Sequence, residues 1–255
     1  MGQAQLRHVV ITRPVGGAGS LPKRLAAMDL APVHLPGLSL GPGPTGQVMR
    51  DQLAALADFH AVIAVSAPAV RFARRMLPAL RLPAQVRGYG VGAASARALQ
   101  AICAVRVEWP QRADSEGLLA LPSLAAVRGR RIAILAAPGG RSLIADTLRE
   151  RGARAEVLHV YRRQPARWNR GHREKLAALY RPLVLATSVA GLRAVVSLAG
   201  DLAAHLLQGC AVVSSERLAN AARDAGFTEV VRADGPGDAA LLEAVRAHIS
   251  NGRTW

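Results

Sequence analysis

Short apolar runs alternate along the whole chain with longer stretches whose apolar positions recur every three or four residues. The first pattern suits a buried strand and the second an amphipathic helix. Strands are expected at 8–12, 32–35, 61–65, 88–91, 105–107, 131–136, 156–162, 183–187, 211–213 and 229–232. Helices fall between them at 20–28, 69–80, 93–102, 116–124, 143–151, 170–179, 190–198, 216–225 and 238–248. Pro32 and Pro36 cannot donate to a ladder, so the strand at 32–35 reads as an edge. Strands spaced by helices imply parallel sheets with both faces covered, an α/β fold.

The pattern also repeats. AVIAVSAPAVR (61–71) aligns with LVLATSVAGLR (183–193) at an offset of about 122 residues, setting Ser66 over Ser188. YGVGAASARAL (89–99) falls on AVVSSERLANA (211–221) at the same offset, and RRIAILAAPGG (130–140) matches LRHVVITRPVGG near the start, Pro138 over Pro14. A repeat this long is a duplicated domain rather than a solenoid. GPGPTG (41–46) and RRQPARWNRG (162–171) read as loops, and two crossings there would join the first strand–helix unit to the C-terminal half.

Composition narrows the class. With 255 residues, 51% of them hydrophobic, the chain is large enough to bury a sizeable core. Lys plus Arg number 33 against 17 Asp plus Glu, a net charge of +16, and only Lys23 and Lys175 are lysines. Such arginine excess favours an anionic partner. The arginines are scattered and only 4% of residues are aromatic, so a nucleic-acid stacking platform is not expected. Arg, Gly or Pro interrupts every apolar run before membrane-spanning length, and the first residues lack a signal-peptide core. Cys103 and Cys210 have no CxxC spacing, which suits a reducing compartment; the expectation is a cytoplasmic protein.

Several chemistries find no support. The seven histidines show no HxxxH or HxH pairing and no carboxylate at ligand spacing, so no metal site is expected. GxSxG and GxxxxGK[ST] are absent, and carboxylates are sparse. Gly90-Val-Gly92-Ala-Ala-Ser95, with Glu108 beyond, partly matches a dinucleotide fingerprint, but any tight strand-to-helix turn favours glycine. The remaining polar residues gather where strands give way to helices: Thr12-Arg13, Ser66, Ser95, Ser115-Glu116, Gly139-Gly140-Arg141, Thr187-Ser188 and Ser214-Ser215. Helix N-termini at such an edge receive anions, although Ser and Thr there are also ordinary caps. Tyr161, one of three tyrosines, sits in His159-Val-Tyr-Arg-Arg163, either as an edge-strand residue or as a phenol that donates a hydrogen bond to a ligand.

Taken in order, VVITRP, AVIAVSAPAVR, YGVGAASARAL with SEGLL, RIAILAAPGGRSLIADTLRERGA with VYRR, LVLATSVAGL and VVSSERLANAARDAGF resemble the uroporphyrinogen-III synthase family across nearly the whole chain. The resemblance implies two flavodoxin- or Rossmann-like parallel-sheet domains joined by a two-stranded linker, with the active site in the cleft between them. Domain 1 would comprise 1–36 plus 167–255 and domain 2 would comprise 42–158, with linker strands at 37–41 and 159–166. The implied reaction cyclises hydroxymethylbilane to uroporphyrinogen III with inversion of the last pyrrole ring and loss of water, using neither metal nor cofactor. Tyr161 is implied as the catalytic residue, and Arg13, Ser66, Ser95, Arg141, Ser188 and Ser215 as contacts to the substrate's carboxylate arms. A monomer acting on an anionic linear tetrapyrrole is implied, with transient handover from hydroxymethylbilane synthase and no nucleic-acid or membrane partner. Val65 and Pro68 stand where the family usually has Thr and often Asn. A non-catalytic ligand-binding or regulatory module on the same scaffold is the alternative.

Overall fold

The computed structural model describes residues 7–140 and 142–250. The chain begins with β1 (His8–Ile11), α1 (Leu21–Ala26) and β2 (Ala31–His34), then enters β3 (Leu38–Pro42). There follow α2 (Gln47–Ala54), β4 (Ala61–Ala64), α3 (Ala67–Met76), β5 (Arg87–Gly90), α4 (Ala93–Gln100) and α5 (Ser115–Leu119). β6 (Arg131–Ala136), α6 (Leu143–Glu150) and β7 (Arg154–His159) lead into β8 (Tyr161–Pro165). The last stretch holds α7 (Arg170–Ala177), β9 (Leu183–Ala186), α8 (Val189–Ala199), α9 (Ala204–Leu207), β10 (Cys210–Val213), α10 (Glu216–Asp224), β11 (Glu229–Arg232) and α11 (Asp238–Ser250).

Two compact units result, residues 1–40 with 164–255 and residues 41–163. The first carries a parallel sheet in the order β2-β1-β9-β10-β11, with β2 at an edge as its prolines require. The second carries β5-β4-β6-β7, also parallel. The repeat is visible in this topology, since β10-β9-β1-β2 and β5-β4-β6-β7 are the same arrangement. β3 and β8, through which the chain leaves the first unit and returns, pair as a separate two-stranded sheet.

Alternation along the strands explains the layers. In the first unit Val10, Val184 and Val213 point into a core under α8 and α10. Val9, Ile11, Leu185 and Val212 point the other way, against Leu21 and Leu25 of α1 and Leu241 and Val245 of α11. In the second unit Ile63, Tyr89, Ile132 and Ile134 pack against Leu118 of α5 and Ile144 and Leu148 of α6. Among the described residues no helix is long and apolar enough to cross a membrane.

Some local expectations fail for identifiable reasons. No strand forms at 105–107, because the Gln100 amide takes the Val107 N–H (2.9 Å) and donates to the Val105 carbonyl (3.1 Å). Only isolated bridges survive there, Leu82 with Cys103 and Tyr89 with Glu108. The helix expected at 116–124 stops at Leu119 and resumes as a single 3-10 turn at Pro122–Leu124, since proline cannot continue the ladder. The strand expected at 156–162 divides at Val160, and the loop expected at 162–171 holds most of β8 and the start of α7, which Asn169 and His172 close as a capping box. α2 was not expected at all: only Met49 and Leu53 of its eight residues are buried, too weak a stripe to read beside GPGPTG.

Candidate active site

In an open parallel sheet, ligands settle outside the carboxyl ends of the strands where the strand order reverses. In the second unit that point lies between β4 and β6, because the chain leaves β4 toward β5 on one side while β7 follows β6 on the other. A cavity of about 510 Å³ opens there. Val65, Ala136, Gly139 and Gly140 line it from the ends of β4 and β6, His159 from the last position of β7 and Arg163 from β8. Its wall is mainly aliphatic, with Arg149, His159 and Arg163 among the lining residues, a combination suited to an organic ligand that carries anionic groups. Of these, Arg149 donates to the Ala155 carbonyl (2.9 Å) and the Asp146 carboxylate (3.3 Å), which fixes its guanidinium.

The turn after β6 needs its glycine. Gly139 has φ +71 with no neighbour crowding it, and Gly16, its repeat equivalent after β1, has the same φ. A side chain at either would meet left-handed backbone strain rather than a clash.

Tyr161 opens β8 directly after the sheet ends, where the Val160 N–H still donates to the Ala136 carbonyl (3.1 Å). It is almost wholly buried, at 4% exposure. Its hydroxyl lies 3.1 Å from Ser66 Oγ, and its ring stacks on Phe72 at 5.7 Å with planes 10° apart. The Arg75 guanidinium covers Phe72, 5.3 Å from the ring centroid. Ser66 meanwhile caps α3, its Oγ accepting the Ala69 N–H at 3.4 Å. Pro68 sits in the first turn of that helix, where its missing N–H costs nothing, while Val65 offers the cavity only methyl groups. One buried cluster thus joins the end of β4, one face of α3 and the first residue of β8.

Of the other residues the sequence singles out, Ser188 and Ser215 cap α8 and α10, accepting the Gly191 N–H (3.1 Å) and the Leu218 N–H (3.4 Å). Thr12 is buried and donates to the Leu185 carbonyl at 2.9 Å. Arg13 is already engaged, pairing with Asp238 at 2.6 Å and donating to the Pro236 carbonyl at 3.1 Å. Ser95 lies inside α4, 7% exposed, and the cap position belongs to Gly92. Asp114, not Ser115, caps α5, and Ser115 lines the cavity. Arg141 lies outside the described residues.

The glycines of the partial fingerprint have packing duties. A Cβ on Gly90 would fall 2.4 Å from the Ala96 nitrogen, and one on Gly92 would fall 2.9 Å from the Ala113 Cβ. Close helix–strand approach accounts for Gly90, and the loop leading into α5 accounts for Gly92. Sequence reading missed Phe72 and Arg75, whose only signal was that Phe72 is one of three phenylalanines and follows Ser66 by less than two helical turns.

The family model described as uroporphyrinogen-III synthase HemD matches residues 20–243. Uroporphyrinogen-III synthase of Escherichia coli K12 is 34% identical over 245 residues, covering 93% of this chain and 99% of that protein. The Salmonella typhimurium LT2 protein of the same name is 32% identical with the same coverage. Among solved structures, the fold resembles a uroporphyrinogen-III synthetase from Helicobacter pylori 26695 (TM-score 0.64, 15% identity, 95% of this chain and 100% of that one). It also resembles a mutant uroporphyrinogen III synthase from the extreme thermophile Thermus thermophilus (TM-score 0.61, 20% identity, 96% and 99%). The chain belongs to the uroporphyrinogen-III synthase family.

Proposed function

We propose that this chain closes linear hydroxymethylbilane to uroporphyrinogen III, inverting the last pyrrole ring and eliminating water, and so acts as a cyclising lyase. The observation that carries this reading is the whole-length match, 34% identical over 245 residues, to a protein of that name. The geometry around Tyr161 is what gives the reading a mechanism.

The pyrroles are electron-rich nucleophiles, so the protein's tasks are to assist departure of the terminal hydroxyl and to fold the chain for the longer closure route. Ser66 Oγ accepts from the Ala69 N–H and still has its own proton to give. When that proton goes to the Tyr161 oxygen 3.1 Å away, the phenol O–H is free to donate to the departing hydroxyl. The hydroxyl leaves as water, and an azafulvene cation remains. The substituted α-carbon of the last ring attacks it to form a spiro intermediate, which fragments and recloses through the other α-carbon. Loss of the hydrogen there returns the proton taken up with the hydroxyl. Phe72 beneath the tyrosine ring fixes the direction of the phenol.

The substrate's acetate and propionate arms call for cations and backbone N–H groups. In this reading Arg163 and His159, which line the cavity, take arms of the rings bound at the second unit. Ser188 and Ser215 offer hydroxyls at the helix N-termini of the first unit, and Arg13 takes an arm by exchanging it for Asp238. Ser95 and Arg141 are further arm contacts. The protein works as a cytoplasmic monomer that receives its unstable substrate from the synthase that makes it.

The test supplies enzymatically generated hydroxymethylbilane, oxidises the products and separates the porphyrin isomers. Predominantly type III product is expected, against type I without the protein. Type I alone from folded protein would leave a binding module on a synthase scaffold.

A further inference from the structure

At the opposite end of the first sheet from its helix N-termini, three side chains distant in sequence converge. Cys210 opens β10 and Glu229 opens β11, and the two are direct partners in the parallel register. Partners in register face the same side of a sheet. Here that side is covered by α11, whose last turns bring His248 down onto them. The Cys210 Sγ, a Glu229 oxygen and a His248 ring nitrogen all lie within 4.8 Å of one another, with His248 Nδ1 4.0 Å from Glu229 Oε1. Cys210 and His248 are 3% and 5% exposed.

From this convergence we infer that Cys210, Glu229 and His248 of the first unit form a binding site for a thiophilic divalent cation of the zinc type. The donor set is the argument. Thiolate and imidazole together select borderline-soft cations such as Zn²⁺ over Mg²⁺ or Ca²⁺, and a carboxylate completes three protein ligands of a tetrahedron. Bond lengths of roughly 2.0–2.3 Å place tetrahedral donor atoms about 3.5 Å apart, so the trio closes on an ion by about 1 Å. Glu229, the least buried of the three, has the room to make that adjustment. His248 also forms part of the wall of a cavity of about 350 Å³, which gives an ion and its fourth ligand, a water, a way in. Asp234 and Glu243 share that wall and offset Arg232; Glu243 itself pairs with Arg246 at 3.5 Å. A cation there would tie the C-terminal end of α11 to the edge strand β11 and its neighbour β10, and its role would be structural. When the ion binds, the thiol proton leaves to solvent, as does any proton on the ligating imidazole nitrogen, and bonds to the cation take the place of the direct His248–Glu229 contact.

The experiment titrates the metal-free protein with Co²⁺, then with Zn²⁺, and reads thiolate-to-cobalt charge-transfer absorption, stoichiometry and melting temperature. The expected result is one Co²⁺ per chain with a thiolate band, displacement by Zn²⁺, and a higher melting temperature with metal. Cys210→Ser abolishes the band, Glu229→Gln weakens affinity at least tenfold, and Cys103→Ser, whose thiol burial pushes up to about 11, leaves both unchanged. Absence of the band in wild-type protein overturns the proposal, as does a band that survives Cys210→Ser or an affinity indifferent to Glu229→Gln. The Glu229→Gln variant keeps the test meaningful if Cys210→Ser fails to fold, because Glu229 is only partly buried.

Discussion

Ser66 and Ser188 hold the same post in the two halves of the repeat, each following a central strand and capping the next helix through the N–H three residues on. Among the described residues only Ser66 meets a phenol. Where α3 carries Phe72 to support that phenol, the equivalent position of α8 is Ala194. Duplication thus supplied both units with the same anion-receptive edge. What distinguishes the second unit is the strand delivered beside it, which begins with Tyr161. A cap alone is a stability device; under the proposed reaction, a cap bonded to a buried phenol is also half of a proton-donating pair.

The largest effect should come from the phenol itself. Tyr161→Phe keeps the ring on Phe72 and removes the donor, so turnover to type III product falls about a hundredfold or more while the fold is retained. Circular dichroism and isomer-resolved rates measured together check this, and an unchanged rate would remove Tyr161 from the chemistry. Replacing the two caps sharpens the comparison further. Ser66→Ala and Ser188→Ala should each cost about 1 kcal/mol of stability in denaturant titrations. Their kinetics should diverge: Ser66→Ala lowers kcat about tenfold, whereas Ser188→Ala raises KM and leaves kcat within about twofold.

Smaller again are the paired turns. Gly16→Ala and Gly139→Ala should each lose about 1–2 kcal/mol from left-handed strain, equally, since both have φ +71 and open space around the site of the added methyl. Unequal losses would show that the two turns are not equivalent. The smallest effect is electrostatic and confined to the first unit. Burial, with the charges of Lys175 and His34, holds His172 below the ordinary imidazole range. The unfolded chain therefore takes up that proton more readily than the folded one, so stability declines slightly as pH falls through about 6.5 and is flat above. His172→Gln should flatten this small slope in melting temperature against pH.

Much of the architecture was legible because it is periodic. Four-residue apolar strands such as Ala61–Ala64 and Leu183–Ala186, set between amphipathic helices, announce a parallel sheet, and their recurrence announces the duplication. Legibility ended where a side chain replaced a backbone partner, as Gln100 does at Val105 and Val107, or where a strand carried exposed arginines, as β8 does at Arg162 and Arg163. The site was legible residue by residue but not as a constellation. Ser66 and Tyr161 stand out singly, yet they are 95 positions apart and meet only because the chain leaving the edge strand β7 brings Tyr161 back to the carboxyl end of β4. Cys210, Glu229 and His248 show no ligand spacing for the same reason: the sheet register and the path of α11, not local sequence, bring them together.

The central claim is that Ser66 acts through Tyr161, and a double-mutant cycle on the rate of type III formation tests it most directly. Ser66→Ala, Tyr161→Phe and the double variant would be compared with wild type at saturating substrate. The account predicts strong non-additivity, with the double variant no slower than Tyr161→Phe alone, because without the phenol proton the serine has nothing left to orient. Losses that simply multiply would contradict it and reduce Ser66 to a helix cap like its counterpart Ser188.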